Sequence, residues 1–462
     1  MNIALRRYII KISINPKGVI YVLENKAYQF IKDGESVFNS RADKDIERNR
    51  KGDFDLVITD SNANPVKNAK INVKLNKIDF NFGANIFMLG EYDTEEKNRL
   101  YEEEFCKIFN SASVPLYWEG TEPKEGYLRY DKDTKRDCYR RPPADYVSEF
   151  CKKRGLNMKG HPLFWHEFVP EWLPDNFTAL KPYIVKRFEE ISERYSKDFE
   201  SFDVVNEPSR IYDVYFRDRY NPNTKYLVPE DDYMVWLFDL ASRLFPANKL
   251  ILNDTVGAAF TEFHGKYSAF YLNIKDLLNR GVRVDEIGMQ CHLGAENPRN
   301  VYNSEILYDV LDEYSTFGKP INISEISIPS KFNGVVDEEL QALAAERLYK
   351  VCFSHPSVTG ITWWNLPDDG ILTTKRVANN ENMPSTGLID ADYNEKLAYK
   401  TLRRLIKDEW TTNVSVVTNE NGVASFRGFY GVYDVEVAEN NDIKKLSVDL
   451  CKTTPRVHKI KL

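Results

Sequence analysis

Between about residues 80 and 410 the chain repeats one pattern, a short apolar run followed by a longer segment of helical period. The short runs are FNFGAN, SVPLYWE, NMKGHPLFW, FDVVNEP, KLILND, EIGMQCH, INISEISIP and GITWWNLP. The longer segments, such as LKPYIVKRFEEISERYS and EELQALAAERLYKVCFS, return an apolar residue every three or four positions. Eight strand candidates alternating with eight helix candidates predict an α/β protein built on a (β/α)8 TIM barrel. A doubly wound open sheet would carry a glycine-rich phosphate turn after its first strand, and FNFGAN is followed by none.

The segments on either side follow a different rhythm. YIIKISI, VIYVLE, FDLVITD and AKINVKL precede the barrel; NVSVVT, VASFRGF, YGVYDVEVAE, IKKLSVDL and VHKIKL follow it. Turn-forming stretches such as DSNANPVKN and NENG separate them, as expected of β-sandwich-like regions. The chain therefore divides into a β-rich region at 1–78, the barrel at 79–410 and a small C-terminal β-domain at 411–462.

The formal net charge of −7 comes from acids and bases spread along the chain, with no single-sign block to track a phosphate backbone, so nucleic acid is not an expected partner. No window is apolar for long enough to span a membrane. The six cysteines form no CxxC pair and read as reduced thiols. The N-terminal apolar stretch is interrupted by Lys11 and reads as a strand, so the expected location is cytoplasmic, or secreted if a leader has been removed. Aromatic residues reach 13%, which suits flat apolar ligands such as sugar rings as well as ordinary packing.

Nearly every strand candidate ends in polar or aromatic residues: Trp118 and Glu119, His161 through His166, Asn206 and Glu207, Asn253 and Asp254, Gln290 with His292, Glu325, and Trp363 with Trp364. In a parallel barrel the C-terminal strand ends share one face, so these residues are expected to converge on one cleft. Glu207 and Glu325 stand out because each closes or interrupts a run that should be buried. Their separation of 118 residues, about three βα units, puts them on strands 4 and 7. Across a barrel mouth two such carboxylates can act on an anomeric carbon, one protonating the departing oxygen while the other attacks or activates water. The plainer alternative is that both merely cap the following helices. Asn206 can donate to a sugar hydroxyl, and His292, one strand before Glu325, can hold that carboxylate ionised as a nucleophile. Glu207 is then the acid, kept protonated by apolar walls such as Trp165 or Trp364 and by the other carboxylate.

Two stretches resemble metal sites without meeting their requirements. HEF within HPLFWHEFVPEW lacks the second histidine of H-E-x-x-H because position 170 is proline. DKDTKRD has Arg136 where a calcium loop needs glycine and Pro142 where it needs glutamate. The first reads as a sugar-binding wall and the second as a solvated loop; His264 reads as structural. No metal or cofactor is expected.

The chain resembles glycoside hydrolase family 10, the xylanase family with a (β/α)8 barrel, through FNFGANIF, SVPLYWEGTEP, GHPLFWH, DVVNEP, LILND, DEIGMQCHL, INISEI, ITWWNL, TGLID and KLAY, in that order over roughly 80 to 405. The resemblance implies a retaining mechanism with Glu207 as acid/base and Glu325 as nucleophile. It also implies that His161, Trp165, Asn206, Gln290, His292 and Trp364 hold the sugar or orient the pair. Some members carry β-rich extensions like the flanks here. The departures concern substrate: Tyr117 stands where members have a lysine that grips a second sugar, their asparagine has no equivalent, and Glu167 and Phe168 replace a Ser-Gln pair. Thr255 replaces a tyrosine, and a second tryptophan is not evident near Pro367, Asp368 and Asp369.

The expected function is that of a retaining β-glycosidase, an endo-β-1,4-xylanase or xylo-oligosaccharide hydrolase, with a carbohydrate as its partner. One alternative is a glycosidase acting on an aryl, terpenoid or steroidal glycoside, with Tyr117 and Phe168 in apolar contact. The other is a non-catalytic carbohydrate-binding protein.

Overall fold

The computed structural model describes residues 8–15, 18–25, 35–131, 138, 140–210, 232–255, 265–293, 304–332, 335–368, 385–439 and 442–462. DKDTKRD from 132 onward, His264 and Asp369 lie outside the described residues.

The eight short runs form eight parallel strands: β1 (Asn81–Asn85), β2 (Ser111–Pro115), β3 (Asn157–His161), β4 (Ser201–Asn206), β5 (Lys249–Thr255), β6 (Glu286–His292), β7 (Ile321–Ser327) and β8 (Val358–Trp363). Each pairs with the next, and β8 returns to β1 with Gly360 beside Asn81 and Trp363 beside Ala84, which closes the barrel. A two-residue strand, Phe164–Trp165, adds to the end of β4. The strands are buried on both sides, and β4 has no exposed residue, which is why they read as continuous apolar runs and not as alternating ones.

Each strand is followed by a helix: α1 (Glu95–Ile108), α2 (Ala144–Arg154), α3 (Phe177–Tyr195), α4 (Tyr233–Leu244), α5 (Ala269–Asn279), α6 (Ser304–Ser315), α7 (Glu338–Ser354) and α8 (Leu397–Arg403). Four start on a side chain that accepts from the backbone N–H three residues on: Thr94, Asn176, Ser268 and Asp337. Such caps each contribute about 1 kcal/mol. In α3 the residues that face the barrel, Leu180, Ile184, Phe188 and Ile191, recur at intervals of three and four and are fully buried. Each contributes roughly 1.5–3 kcal/mol by leaving water.

The terminal β-regions are joined. Lys70–Ile78 pairs with Asn413–Val417 on one side and Gly431–Glu439 on the other, with Asp442–Leu450 completing a four-stranded antiparallel sheet. Lys51–Thr59 lies between Val423–Phe429, antiparallel, and Val457–Lys461, parallel. Alternate residues point inward from both sheets, Phe54, Leu56 and Ile58 from one and Ile71, Val73 and Leu75 from the other. Phe54 touches Tyr433 across the gap at a centroid distance of 6.4 Å. Strands read from sequence as two separate β-regions thus share their sheets.

The stretch before Lys51, read from sequence as β-rich with polar connectors, contains a helix, Glu35–Arg50. Its charged residues mask a narrow stripe, Phe38, Ala42 and Ile46, spaced by four and buried against the barrel. The helix ends on Arg50, whose guanidinium donates to the carbonyls of Phe353 at 2.5 Å, and of His355 and Val358 at 2.6 Å. These groups lie at the end of α7 and the start of β8. Arg50 therefore satisfies carbonyls that a helix end leaves without partners. All six cysteines are free. Among the described residues no helix is long and apolar enough to cross a membrane.

Candidate active site

The polar strand ends meet at the C-terminal mouth of the barrel because register places them side by side. Trp165 and Asn253 lie beside Asn206 on its two sides, and Gln290 lies beside Glu325. Irregularities in β5, β6 and β7 shift the register just before these residues, the usual device for re-aiming side chains.

Asn253 is the hub. Its Nδ2 donates to Asn206 Oδ1 at 2.8 Å and to Glu325 Oε1 at 3.0 Å, and its Oδ1 accepts from Ser324 Oγ at 2.5 Å. Gln290 Nε2 also donates to Asn206 Oδ1, at 3.2 Å. With both bonds falling on the oxygen, Asn206 is oriented to use its amide nitrogen as a donor toward the cleft. Glu325 receives a further bond from His292 Nε2 on Oε2 at 3.0 Å, while His292 Nδ1 accepts from Ser327 Oγ at 2.9 Å. The Nε2 of His161 stands 3.9 Å from Glu325 Oε1. Its Nδ1 donates to Asp203 Oδ2 at 2.7 Å, which fixes the tautomer. Burial would push the Asp203 carboxyl up, but the charge of Lys159, 2.9 Å away, and the His161 bond outweigh it and hold the group below the usual carboxylate range.

Glu207 sits one residue beyond β4 on a backbone with φ of 52°, a left-handed conformation that costs a non-glycine residue on the order of 1 kcal/mol. The turn is pinned by Glu207 N–H to Asn253 O at 2.8 Å and Arg210 N–H to Glu207 O at 3.1 Å. Ser209 N–H and Oγ both donate to Asp254 Oδ2, at 3.0 and 2.5 Å. The Glu207 carboxyl group accepts from Arg210 Nη1 at 2.9 Å, so its nearest charged neighbour is a cation and not the apolar walls and second carboxylate expected from sequence. Asp254, fully buried, is pushed up to about 7, first by burial and also by the charge of Glu207, against the bonds from Ser209 and Thr255. His166 is pushed down to about 3 by burial and then by Arg210, so it is neutral.

Aromatic rings line the rest of the mouth. Trp364 meets His161 at 5.3 Å and His292 at 6.4 Å. Tyr117, just past β2, and Phe168 join Trp165 in one cluster. Trp165 Nε1 is buried with no hydrogen-bond partner among the described residues. All ten residues singled out from sequence therefore lie at one mouth. Of these, Glu325, His292, His161, Asn206 and Gln290 belong to one polar network with Asn253. Glu207 is linked to that network through its backbone.

Sequence reasoning placed Asn253 and Asp254 at the mouth without giving either a role, and it did not single out Ser324, Asp203, Lys159, Ser209 or Arg210. A signal existed for some: Asp203 and Asn253 are polar residues inside otherwise apolar barrel runs, a placement that needs a partner. Among the described residues no group of three or more His, Cys, Asp or Glu side chains could hold a metal ion.

Residues 77–405 match the model of glycosyl hydrolase family 10. The chain belongs to that family. Among curated relatives it is 27% identical over 402 residues to the anti-sigma-I factor RsgI6 of Acetivibrio thermocellus, covering 86% of this chain and 46% of that protein. It is 26% identical over 349 residues to endo-1,4-beta-xylanase 3 of Arabidopsis thaliana, covering 74% and 41%. The chain thus spans less than half the length of either relative. Among solved structures, native xylanase 10B from Thermotoga maritima matches 72% of this chain and 96% of its own, at 21% identity and a TM-score of 0.55. That likeness establishes the shared fold. Family 10 membership covers the barrel and leaves the joined β-sheets outside the matched span, apart from the end of the Lys70–Ile78 strand.

Proposed function

We propose that this family 10 chain is a retaining β-glycosidase acting on β-1,4-linked xylan or xylo-oligosaccharides. The observation that carries the reading is the treatment of Glu325. Asn253 and His292 each donate to one of its oxygens, an arrangement that fixes and aims the carboxyl group. On the opposite strand end, Glu207 is presented by a turn of its own. In this reading Glu325 attacks the anomeric carbon while Glu207 protonates the departing oxygen. A covalent glycosyl intermediate results. Glu207, now a base, takes a proton from water as the oxygen of that water releases the sugar. Asn206 donates to a sugar hydroxyl beside the reacting carbon, and His161, Trp165, Gln290 and Trp364 hold the ring. No cofactor enters the scheme.

The names of the xylanase relatives support the substrate class. A second reading, a glycosidase for aryl, terpenoid or steroidal glycosides, is favoured by the half-buried ring of Phe168, packed on the buried Tyr117, where a chain-gripping site is polar. A panel of xylan, xylo-oligosaccharides, and aryl β-xylosides and β-glucosides separates the two. Glu325→Ala should lower turnover by about 10⁴-fold or more, and azide should restore it with an α-glycosyl azide as product. Substantial hydrolysis by that variant would remove Glu325 from the role. Sugar binding by the unmodified protein without any product would favour the carbohydrate-binding alternative.

A further inference from the structure

Along the arc β8–β1–β2–β3 the barrel mouth is filled by aromatic side chains, with Tyr117 at the centre. Tyr117 is 2% exposed, and its ring meets Phe87, His161, Trp165 and Phe168 at centroid distances between 5.4 and 5.8 Å. One ring face is covered by Arg141, whose guanidinium carbon lies 3.7 Å from the centroid. Gly120 makes this possible, since a Cβ there would stand 2.8 Å from Arg141 Cγ. The backbone beneath the ring is held as firmly. Tyr117 O accepts from the N–H groups of Gly120 and Thr121 at 2.9 Å, Leu116 N–H donates to His161 O at 2.7 Å, and Arg187 Nη2 donates to Leu116 O. Tyr117 therefore offers neither a face for stacking nor an edge for bonding, and it stands directly behind His161, which itself approaches Glu325.

The direction of the cleft follows from the acid. An acid that protonates the departing oxygen lies on the leaving-group side of the anomeric carbon. Glu207 emerges from β4 on a turn tied to Asp254 of β5, so the leaving group lies toward β5. The glycone lies toward the opposite arc, where the cluster stands. We infer that the Tyr117 cluster closes the glycone side behind a single sugar, so that the enzyme removes one sugar at a time from the non-reducing end of short β-glycosides. This rests on the glycosidase reading above. In each cycle the terminal glycosidic C–O bond breaks, the proton from Glu207 goes to the departing alcohol, and water restores the hydroxyl of the released sugar and the proton of Glu207.

The choice of bond tests the inference. A p-nitrophenyl β-xylobioside offers an inner bond, which yields xylose and p-nitrophenyl xyloside, and an aryl bond, which yields xylobiose and p-nitrophenol. The unmodified protein should cut the inner bond first, with p-nitrophenol appearing after a lag and xylobiose at about a tenth of xylose or less. Prompt p-nitrophenol with xylobiose as the main co-product overturns the inference and leaves the glycosidase reading standing. If neither this compound nor p-nitrophenyl β-xyloside, nor the corresponding glucoside and cellobioside, is cleaved, the glycosidase reading fails and the inference with it. Tyr117→Ala should raise the xylobiose-to-xylose ratio about tenfold, while Tyr117→Phe should keep the original ratio. An unchanged ratio in a folded Tyr117→Ala protein also overturns the inference. The bond choice of the unmodified protein decides the matter if that variant does not fold.

Discussion

Asp254 shows what the barrel interior does to a single carboxyl. Its ordinary value in an unfolded chain is about 3.9, and in the fold it is raised to about 7, chiefly by burial. Between these values the folded protein holds a proton that the unfolded chain has already lost. The contribution of this group to stability therefore falls as pH rises through that window. Asp254→Asn has no such proton to lose. Beyond any constant offset from the lost acceptor, its Tm relative to the unmodified protein should move by several degrees in its favour between about pH 4.5 and 7.5. Thermal melts at a series of pH values check this, and parallel curves would remove the effect. At this scale the sequence was readable where a polar residue closes an apolar run, as at Asn206 and Glu207. It was less readable at Asn253, whose importance lies in bonds to Asn206, Glu325 and Ser324, residues 47 to 72 positions away.

At the scale of the element, strand β6 illustrates how a backbone makes room for chemistry on its neighbours. A Cβ on Gly288 would lie 2.6 Å from Asn253 Oδ1 and 2.9 Å from Ile251 Cγ2. Gly288→Ala should therefore push the Asn253 amide and, through it, Glu325. Kinetics on a cleaved glycoside should show kcat/KM reduced by about tenfold or more, with Tm lowered by only a few degrees. Kinetics equal to those of the unmodified protein would show that the Asn253 position is not critical. The elements themselves were legible because the strands are buried on both faces and the helices on one, giving continuous runs against a helical period. The helix Glu35–Arg50 was missed because its buried stripe of Phe38, Ala42 and Ile46 is narrow and charge dominates its composition.

For the whole molecule, the joined sheets and the leading helix brace the barrel at its floor, far from the mouth. Arg50 is the chief polar tie, with three carbonyls as acceptors and its guanidinium over Phe80 and Phe353 at 4.8 and 5.3 Å. Arg50→Ala strips partners from the end of α7 and leaves a void. It should lower Tm by roughly 5 °C or more while leaving kcat unchanged, as thermal melts and steady-state rates on one preparation can check. A matching loss of kcat would mean that the floor communicates with the mouth.

The sequence by itself determined the barrel, the order of its elements and the placing of Glu207 and Glu325 at two of its strand ends. Those features rest on local periodicity and on single polar residues placed where burial forbids them without a purpose. Tertiary structure alone decided that the two ends of the chain share sheets, that Asn253 joins Asn206 to Glu325, and that Arg141 covers the face of Tyr117. Each depends on contacts between residues distant in sequence. No local pattern carries such a contact, because strand register and side-chain packing exist only once the chain has closed on itself.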